Sequence, residues 1–257
     1  MPPQATAVSR PGALDGSDGE GAGLSKIDRA VAIWGAIGVV FWIVYAIGNG
    51  EIVAFAIYYP LWLGIVGTIV WRRREALARR LQSWSAPPWV RFVVLGFGAV
   101  LAEEIFAALA NHLPEGFSLP VLLLRIVQFW ALNIFAFFGF VVGWWLLTHY
   151  VEFSRREVFY LAGIWGLYAE KIIYTLVPMP AFFFFKAGPT ILTYGLIIVP
   201  ALLSQPMTEG RRRVHRLLKY PGAYLCLLLL SLPAILVLFF LRETWPGAFP
   251  PPSMVPR

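Results

Sequence analysis

The sequence predicts an all-α fold, a polytopic bundle of about seven transmembrane helices. Of the 257 residues, 59% are hydrophobic and only 14% are charged, whereas soluble chains are about 45–50% apolar and about 25% charged. The apolar residues form blocks of roughly 20, the length that a helix needs to cross about 30 Å of hydrocarbon. Basic residues are concentrated in every second segment between these blocks. These observations argue against a soluble domain.

Each apolar block is interpreted as one span. The fourth apolar stretch begins earlier than its span, at Leu119, so its first turn lies at the interface or the helix tilts. Several prolines fall inside spans, where neighbouring helices can accommodate them. The predicted spans are Ala30–Gly48, Ile52–Trp71, Phe92–His112, Ile126–His149, Val158–Leu176, Ala187–Leu203 and Ala223–Leu241.

The loop charges predict the orientation in the cell membrane. Basic clusters precede span one and follow spans two, four and six, whereas the alternate loops contain no Lys or Arg. Because cytoplasmic loops carry the excess of Lys and Arg, the N-terminus is expected to be cytoplasmic and the C-terminus external. The net charge of +7 therefore indicates contact with anionic lipid headgroups and not with nucleic acid. Other membrane proteins are possible partners.

The two ends of the chain differ in composition from the bundle, residues 26–245. Residues 1–25 are rich in Gly, Ala, Pro, Ser and Asp and lack apolar periodicity, which predicts a disordered tail. Residues 246–257 form a Pro-rich C-terminal tail. Residues 1–25 are not expected to be a signal peptide, because the first apolar run begins only near Ala30 and spans a full bilayer.

Charged residues inside two spans are the main functional signal. Glu103 and Glu104 lie near the middle of span three, where a charge costs at least about 2.5–3.5 kcal/mol. At least one of the buried carboxyls is therefore expected to hold a proton. Glu170 and Lys171 lie near the centre of span five, and Glu170 shares a helix face with small residues. A pair between Lys171 and a span-three glutamate would lower the energy of both.

These charges predict a polar cavity in the outer half of the membrane, although a buried network that only holds the bundle together would have the same signature. The cavity would include more polar residues toward its mouth. The candidate residues are Glu103, Glu104, Glu170, Lys171, Asn111, Arg125 and Asn133.

The histidines do not indicate a metal or haem site. His112 and His149 lie at opposite ends of their spans, so they cannot hold one haem between them. His112 and Glu104 are the only metal-like pair, and two residues are too few ligands. No metal is predicted, and the cofactor is left unknown.

One short segment resembles a known family. Ala102-Glu103-Glu104-Ile105-Phe106 is similar to the start of the glutamate motif of CPBP-type intramembrane proteases, which implies a glutamate base. That family has an arginine where this chain has Ala108. Its later Phe-x-x-x-His motif is only loosely matched by His149, and Tyr174 stands where its third motif has Asn or Asp. The resemblance therefore does not assign the chain to that family.

Three functions stay open from the sequence. The first is a small transporter or permease that uses the Glu/Lys cluster as a proton or solute site. The second is a structural or accessory subunit of a membrane complex. The third is an intramembrane hydrolase that uses Glu103 or Glu104 as its base. The sequence leaves open whether the protein is an enzyme.

Overall fold

The structure is a computed structural model that describes residues 25–50, 54–205 and 211–247, and these residues form helices without a β-sheet. Nearly all of both predicted tails, residues 1–25 and 246–257, lies outside the described residues. Short 3-10 turns occur at Leu113–Glu115 and Ile172–Thr175. The described α-helices are α1 (Lys26–Asn49), α2 (Ala54–Gln82), α3 (Pro88–His112), α4 (Leu119–Ala136), α5 (Phe138–Tyr150), α6 (Arg155–Ala169), α7 (Pro180–Leu203) and α8 (Arg216–Thr244).

The described helices fit a membrane. Six of them, α1, α2, α3, α4, α7 and α8, are long and apolar enough to cross a bilayer. Large apolar side chains on their outer surfaces are exposed, among them Val40, Ile47, Leu236 and Phe240. Extensive exposed apolar surface is typical of a lipid-facing protein. The predicted all-α fold is confirmed, with six candidate membrane-spanning helices.

Two predicted spans differ from the helices observed. The fifth, Val158–Leu176, corresponds to α6, whose 15 residues cover about 22 Å, less than the hydrocarbon thickness of about 30 Å. The fourth, Ile126–His149, extends across α4 and α5, which meet at Phe137. The count of seven spans therefore stays a prediction.

Three helices are interrupted within their apolar blocks. α2 is π-helical over Pro60–Gly67, beginning at a proline that has no backbone N–H to donate. α4 ends and α5 begins around Phe137, whose φ and ψ are −92° and 0°. α6 ends before Lys171, which has a left-handed φ of 58°, a conformation that a non-glycine residue rarely adopts.

The long helices pack around α7, the most buried of them. The main apolar core lies between α3, α5, α6 and α7 and includes Phe92, Trp144 and Ile197. Small residues let other helices approach closely. A Cβ on Gly38 of α1 would lie 2.3 Å from the carbonyl oxygen of Phe185 on α7. Close approach at small residues is the usual way that helices associate in membranes.

The basic segments meet at one end of the bundle, here called the basic end. Tyr160 near the start of α6 donates to Asp28 near the start of α1. Lys219 of α8 donates to Glu157 of α6 over 2.6 Å. Further bonds at this end join Gln82 to Leu203, Arg91 to Gln82, Gln205 to Pro88 and Arg212 to Tyr150. The starts of α1, α3, α6 and α8 thus lie beside the ends of α2, α5 and α7.

Candidate functional site

Three carboxyl groups lie near one another in the bundle. Glu103 and Glu104 follow each other on α3, and each is only 7% exposed. Glu170 follows the last residue of α6 and is exposed. The charge of Glu170 acts on both glutamates of α3. The structure thus groups three of the predicted site residues, although Glu170 lies far from the other two in the sequence.

Two tyrosine hydroxyls hydrogen-bond to these carboxyls. Tyr58 of α2 donates to Oε1 of Glu103, and Tyr194 of α7 donates to Oε1 of Glu170 over 2.8 Å. Glu104 follows Glu103 on α3, and the two carboxyls act on each other electrostatically. These five residues are here called the carboxyl cluster.

The irregular part of α2 adjoins the carboxyl cluster. Tyr58 lies beside Thr193, and Tyr59 lies beside Thr190, one turn away on α7. Adjacent residues of a regular α-helix point about 100° apart, yet both tyrosines face α7. The π-helical segment begins at the next residue, Pro60. Segments of this kind frequently occur at functional sites.

Glycines bring α6 against α7 beside Tyr194. A Cβ on Gly166 would lie 2.4 Å from the Tyr194 ring, and one on Gly163 would lie 2.6 Å from the Ile191 carbonyl oxygen. The Tyr194 ring also stacks on Phe137, with centroids 5.6 Å apart. The end of α6 and the junction of α4 with α5 therefore both adjoin the middle of α7, where the carboxyl cluster lies.

Lys186 of α7 supplies positive charge near the carboxyl cluster. Its Nζ lies 4.1 Å from the ring centroid of Phe55 and 5.5 Å from that of Phe182. Trp42 packs against both rings. The charge of Glu170 acts on the Lys186 ammonium. Aromatic faces stabilise a desolvated ammonium group, so the aromatic rings hold this cation inside the bundle.

Lys171 follows Glu170 in the chain but is not part of the carboxyl cluster. It is exposed at the end of α6 and forms no ion pair with a described residue. The predicted pair between Lys171 and a glutamate of α3 is therefore absent from the part of the chain that the structure describes. Lys186 of α7 is instead the lysine on which the charge of Glu170 acts.

Two of the other predicted site residues form a separate group at the end of α3. Arg125 of α4 is 3% exposed, forms an ion pair with Glu115 and donates to the backbone oxygen of Asn111 over 3.2 Å. The Asn111 side chain donates to the Ala107 carbonyl. Asn133 is half-buried on α4, one turn before Phe137. The structure thus ties the buried Arg125 to the end of α3 and the loop that follows it.

The described residues contain no group of three or more His, Cys, Asp or Glu that could hold a metal ion. His112 is buried, and its Nε2 accepts from the backbone N–H of Ser118 over 2.8 Å. This nitrogen therefore accepts a hydrogen bond that ties the end of α3 to the start of the segment before α4. At the basic end, His149 stacks on Trp145 with centroids 5.6 Å apart.

The sequence interpretation missed the hydroxyl groups of the carboxyl cluster. Tyr194 lies in the middle of α7, far from the interfaces where tyrosine is usually found in membrane helices, and this position was the available signal. Tyr58 and Tyr59 lie near the start of α2 and are hard to distinguish from an aromatic belt by sequence.

Comparisons with protein-family models, curated proteins and solved structures find no match to this chain. The function therefore has to be inferred from the site itself.

Proposed function

We propose that the protein is a proton-linked membrane transporter for a small cationic solute, and that the carboxyl cluster carries the proton and the solute. The observation that carries the proposal is the group of carboxyls that accept hydrogen bonds from tyrosine hydroxyls within the bundle, from Tyr58 to Glu103 and from Tyr194 to Glu170. Buried carboxyls within spans are disproportionately found on ion and proton pathways.

The balance of charge favours a cation. Glu103, Glu104 and Glu170 act on one another, and Lys186 is the cation on which Glu170 acts. A buried carboxylate without a compensating charge is unfavourable. Either protons or a bound cation would neutralise the excess negative charge of the carboxyls. Binding of a cation at this site would therefore be coupled to release of a proton.

The carboxyl cluster differs in exposure from one carboxyl to another, and this difference supports a path for protons between the surroundings and the interior of the bundle. Glu170 is exposed, whereas Glu103 and Glu104 are buried. Carboxyl and tyrosine hydroxyl groups both donate and accept, so they can pass a proton. The exposed Glu170 would exchange protons with the surroundings, and the buried pair would hold the proton within the bundle.

The helix interruptions also support transport. The π-helical segment of α2, the break at Phe137 and the end of α6 all adjoin the cluster. Transporters commonly build their substrate sites from discontinuous helices near the middle of the membrane. The neighbouring helices can move relative to one another at such breaks.

We further infer that the chain crosses the cell membrane seven times, with α4 and α5 as one crossing and α6 with the following 3-10 turn as another. The meeting of alternate helix ends at the basic end supports this topology. The N-terminus would be cytoplasmic, the C-terminus would be external, and the basic end would face anionic headgroups.

The test is proton flux in liposomes that contain the purified protein and a pH-sensitive dye. Imposing a gradient of a cation, chosen from a panel of alkali metal ions and small amines, should change the internal pH. Glu103→Gln and Glu104→Gln should each abolish this change without lowering the melting temperature. Glu75→Gln, which alters an exposed carboxyl on the basic part of α2, is the matched control and should behave like the wild type.

Infrared difference spectra provide a test that does not require the solute. A protonated-carboxyl band should be present at neutral pH and should disappear in Glu103→Gln or Glu104→Gln. Absence of the band from the wild type would contradict the neutral carboxyl on which the mechanism depends. Earlier melting of all the Gln variants, with no flux in the wild type, would instead favour the structural-subunit function.

The bond from Tyr58 to Glu103 favours an intramembrane hydrolase as the second candidate. A glutamate with a hydroxyl in hydrogen-bond contact is an arrangement that could take up a proton from water and return it. Under this alternative, Glu103→Gln would abolish cleavage of a membrane-embedded substrate, and the liposome assay would show no flux.

A further inference from the structure

A pocket opens at the basic end, away from the carboxyl cluster. It lies between the start of α3, the end of α5 and the segments that flank α7 and α8. Its walls include Trp89, Trp145, Thr148, His149, Gln205 and Arg211. The adjoining helix ends place it at the depth where a membrane helix meets the headgroup region, and tryptophan is enriched at this depth.

The pocket has a rigid wall. Gln205 Nε2 donates to the Pro88 carbonyl over 2.7 Å, which fastens the end of α7 to the start of α3. The Gln205 carbonyl in turn accepts from Arg155 Nη2 over 3.1 Å. The Thr148 hydroxyl donates to the Trp144 carbonyl within α5. These bonds hold the wall in place without using the Arg211 guanidinium.

Positive charge at the pocket is not compensated by the described acids. Arg211 is half-buried and forms no ion pair with a described residue, and no described acid lines the pocket. Behind Gln205, the Nε of Arg155 is buried without a hydrogen-bond partner. Burial lowers the pKa of the Arg155 and Arg211 guanidinium groups, as expected for cations that have lost water. A bound anion would compensate this loss.

We infer that this pocket binds a phosphate-bearing anion, with Arg211 as its main ligand and Trp89 and Trp145 against the adjoining apolar part. Guanidinium groups bind phosphate through two parallel hydrogen bonds. Basic pockets between membrane helices at the cytoplasmic side bind lipid headgroups of this kind. The inference does not depend on the transport function, because the pocket shares no residue with the carboxyl cluster.

The test is native mass spectrometry of the full-length protein in detergent, with dioleoyl phosphatidylglycerol or dioleoyl phosphatidylcholine added. The wild type should retain the anionic lipid in preference to the zwitterionic one. Arg211→Gln should weaken binding of phosphatidylglycerol about tenfold, the loss expected for one charge-assisted contact. Arg212→Gln is the matched control, because Arg212 is adjacent, exposed and equal in charge, and it should bind like the wild type.

A second arm distinguishes a lipid headgroup from a soluble phosphate. Glycerol 3-phosphate at millimolar concentration should displace phosphatidylglycerol from the wild type if the phosphate alone is recognised, and should have little effect if the lipid is required. If Arg211→Gln folds poorly, His149→Leu provides the same comparison. Equal lipid binding by Arg211→Gln and Arg212→Gln, with His149→Leu also unchanged, would overturn the inference.

Discussion

The Glu103 carboxyl accepts a hydrogen bond from a tyrosine hydroxyl inside the bundle, that of Tyr58. The Glu103 side chain is 7% exposed, so water contributes little to its solvation. Tyr58 donates to one of the Glu103 oxygens, and Glu104 is the neighbour of Glu103 on α3. The chemistry of the cluster therefore depends on a few specific bonds and not on general polarity.

The first prediction concerns the Tyr58 hydroxyl. Tyr58→Phe should lower stability by about 1.5–3 kcal/mol, because a hydrogen bond to a charged group is lost and its acceptor stays buried. It should also change the pH dependence of proton flux. The measurements are the melting temperature in detergent and flux in liposomes across pH. Tyr168→Phe, whose hydroxyl bonds no described residue and whose ring is exposed, is the control. Equal behaviour of the two variants would contradict the proposed role.

The second prediction concerns Glu157 at the basic end, in the first turn of α6 and outside the predicted span Val158–Leu176. Partial burial acts to raise the pKa of Glu157, but hydrogen bonds from Lys219, the Ser154 backbone and Tyr220, together with the Lys219 charge, outweigh burial and lower the pKa below its ordinary value. A carboxyl with a lowered folded-state pKa contributes stability above its unfolded pKa, about 4.3. This contribution is lost as the pH falls through the folded-state value.

Melting temperatures of the wild type and Glu157→Gln in detergent, measured from pH 7 to pH 3, check the sign of this effect. The gap between the two proteins should be largest near neutral pH and should close below about pH 4. Glu75→Gln, which alters an exposed carboxyl, should show no such gap. A gap that widens as the pH falls would show that the Glu157 pKa is raised in the folded protein.

At the scale of the helices, the contact between α6 and α7 determines the position of Glu170. The contact is close because Gly163 and Gly166 have no side chain to separate the backbones. α6 then ends beside the middle of α7, and Glu170 reaches Tyr194. Small residues thus perform in this membrane bundle the packing role that large apolar side chains have in soluble cores.

The third prediction tests this contact. Gly166→Ala should destabilise the protein by about 1–3 kcal/mol, because the new Cβ would lie 2.4 Å from the Tyr194 ring. It should also impair proton flux, since Tyr194 bonds Glu170. Gly98→Ala is the matched control, because nothing lies within 4 Å of a Cβ at Gly98. The melting temperatures should differ by several degrees, and equal values would show that α6 does not pack closely at Gly166.

At the scale of the whole molecule, the distribution of basic residues and the exposed apolar surface both indicate an axis that runs along the helices. The basic clusters meet at one end, and the exposed apolar surface surrounds the bundle. The cluster of carboxyls and the basic-end pocket occupy different levels along this axis. The proposed transport site and the proposed anion site can therefore act independently.

The fourth prediction is the topology. A reporter fused after Arg257 should be active on the external face, and a reporter inserted after Arg80 should be active in the cytoplasm, because the basic clusters stay inside. Alkaline phosphatase and a fluorescent protein that matures only in the cytoplasm are suitable reporters for the two faces. Reporters on the same side would show that one crossing is miscounted, with α6 the first helix to re-examine because it is short.

Sequence alone determined that the chain is helical with apolar blocks long enough to cross a membrane, and it identified Glu103, Glu104 and Glu170 as the unusual residues. Both conclusions depend on local composition, since a block of about 20 apolar residues needs no neighbour to indicate a span. A carboxyl inside such a block is likewise visible without a structure. The same reasoning placed the basic clusters on one side.

Only the tertiary structure decided which group accompanies each charge. Lys171 is the neighbour of Glu170 in the sequence, whereas Lys186 is the lysine on which the charge of Glu170 acts in the folded chain. The packing of α6 on α7 brings Glu170 and Lys186 together. The partners Tyr58 and Tyr194 depend on how each helix is rotated about its axis. That rotation is set by contacts between residues distant in sequence, such as Gly166 with Tyr194, and composition or periodicity along one helix carries no record of them.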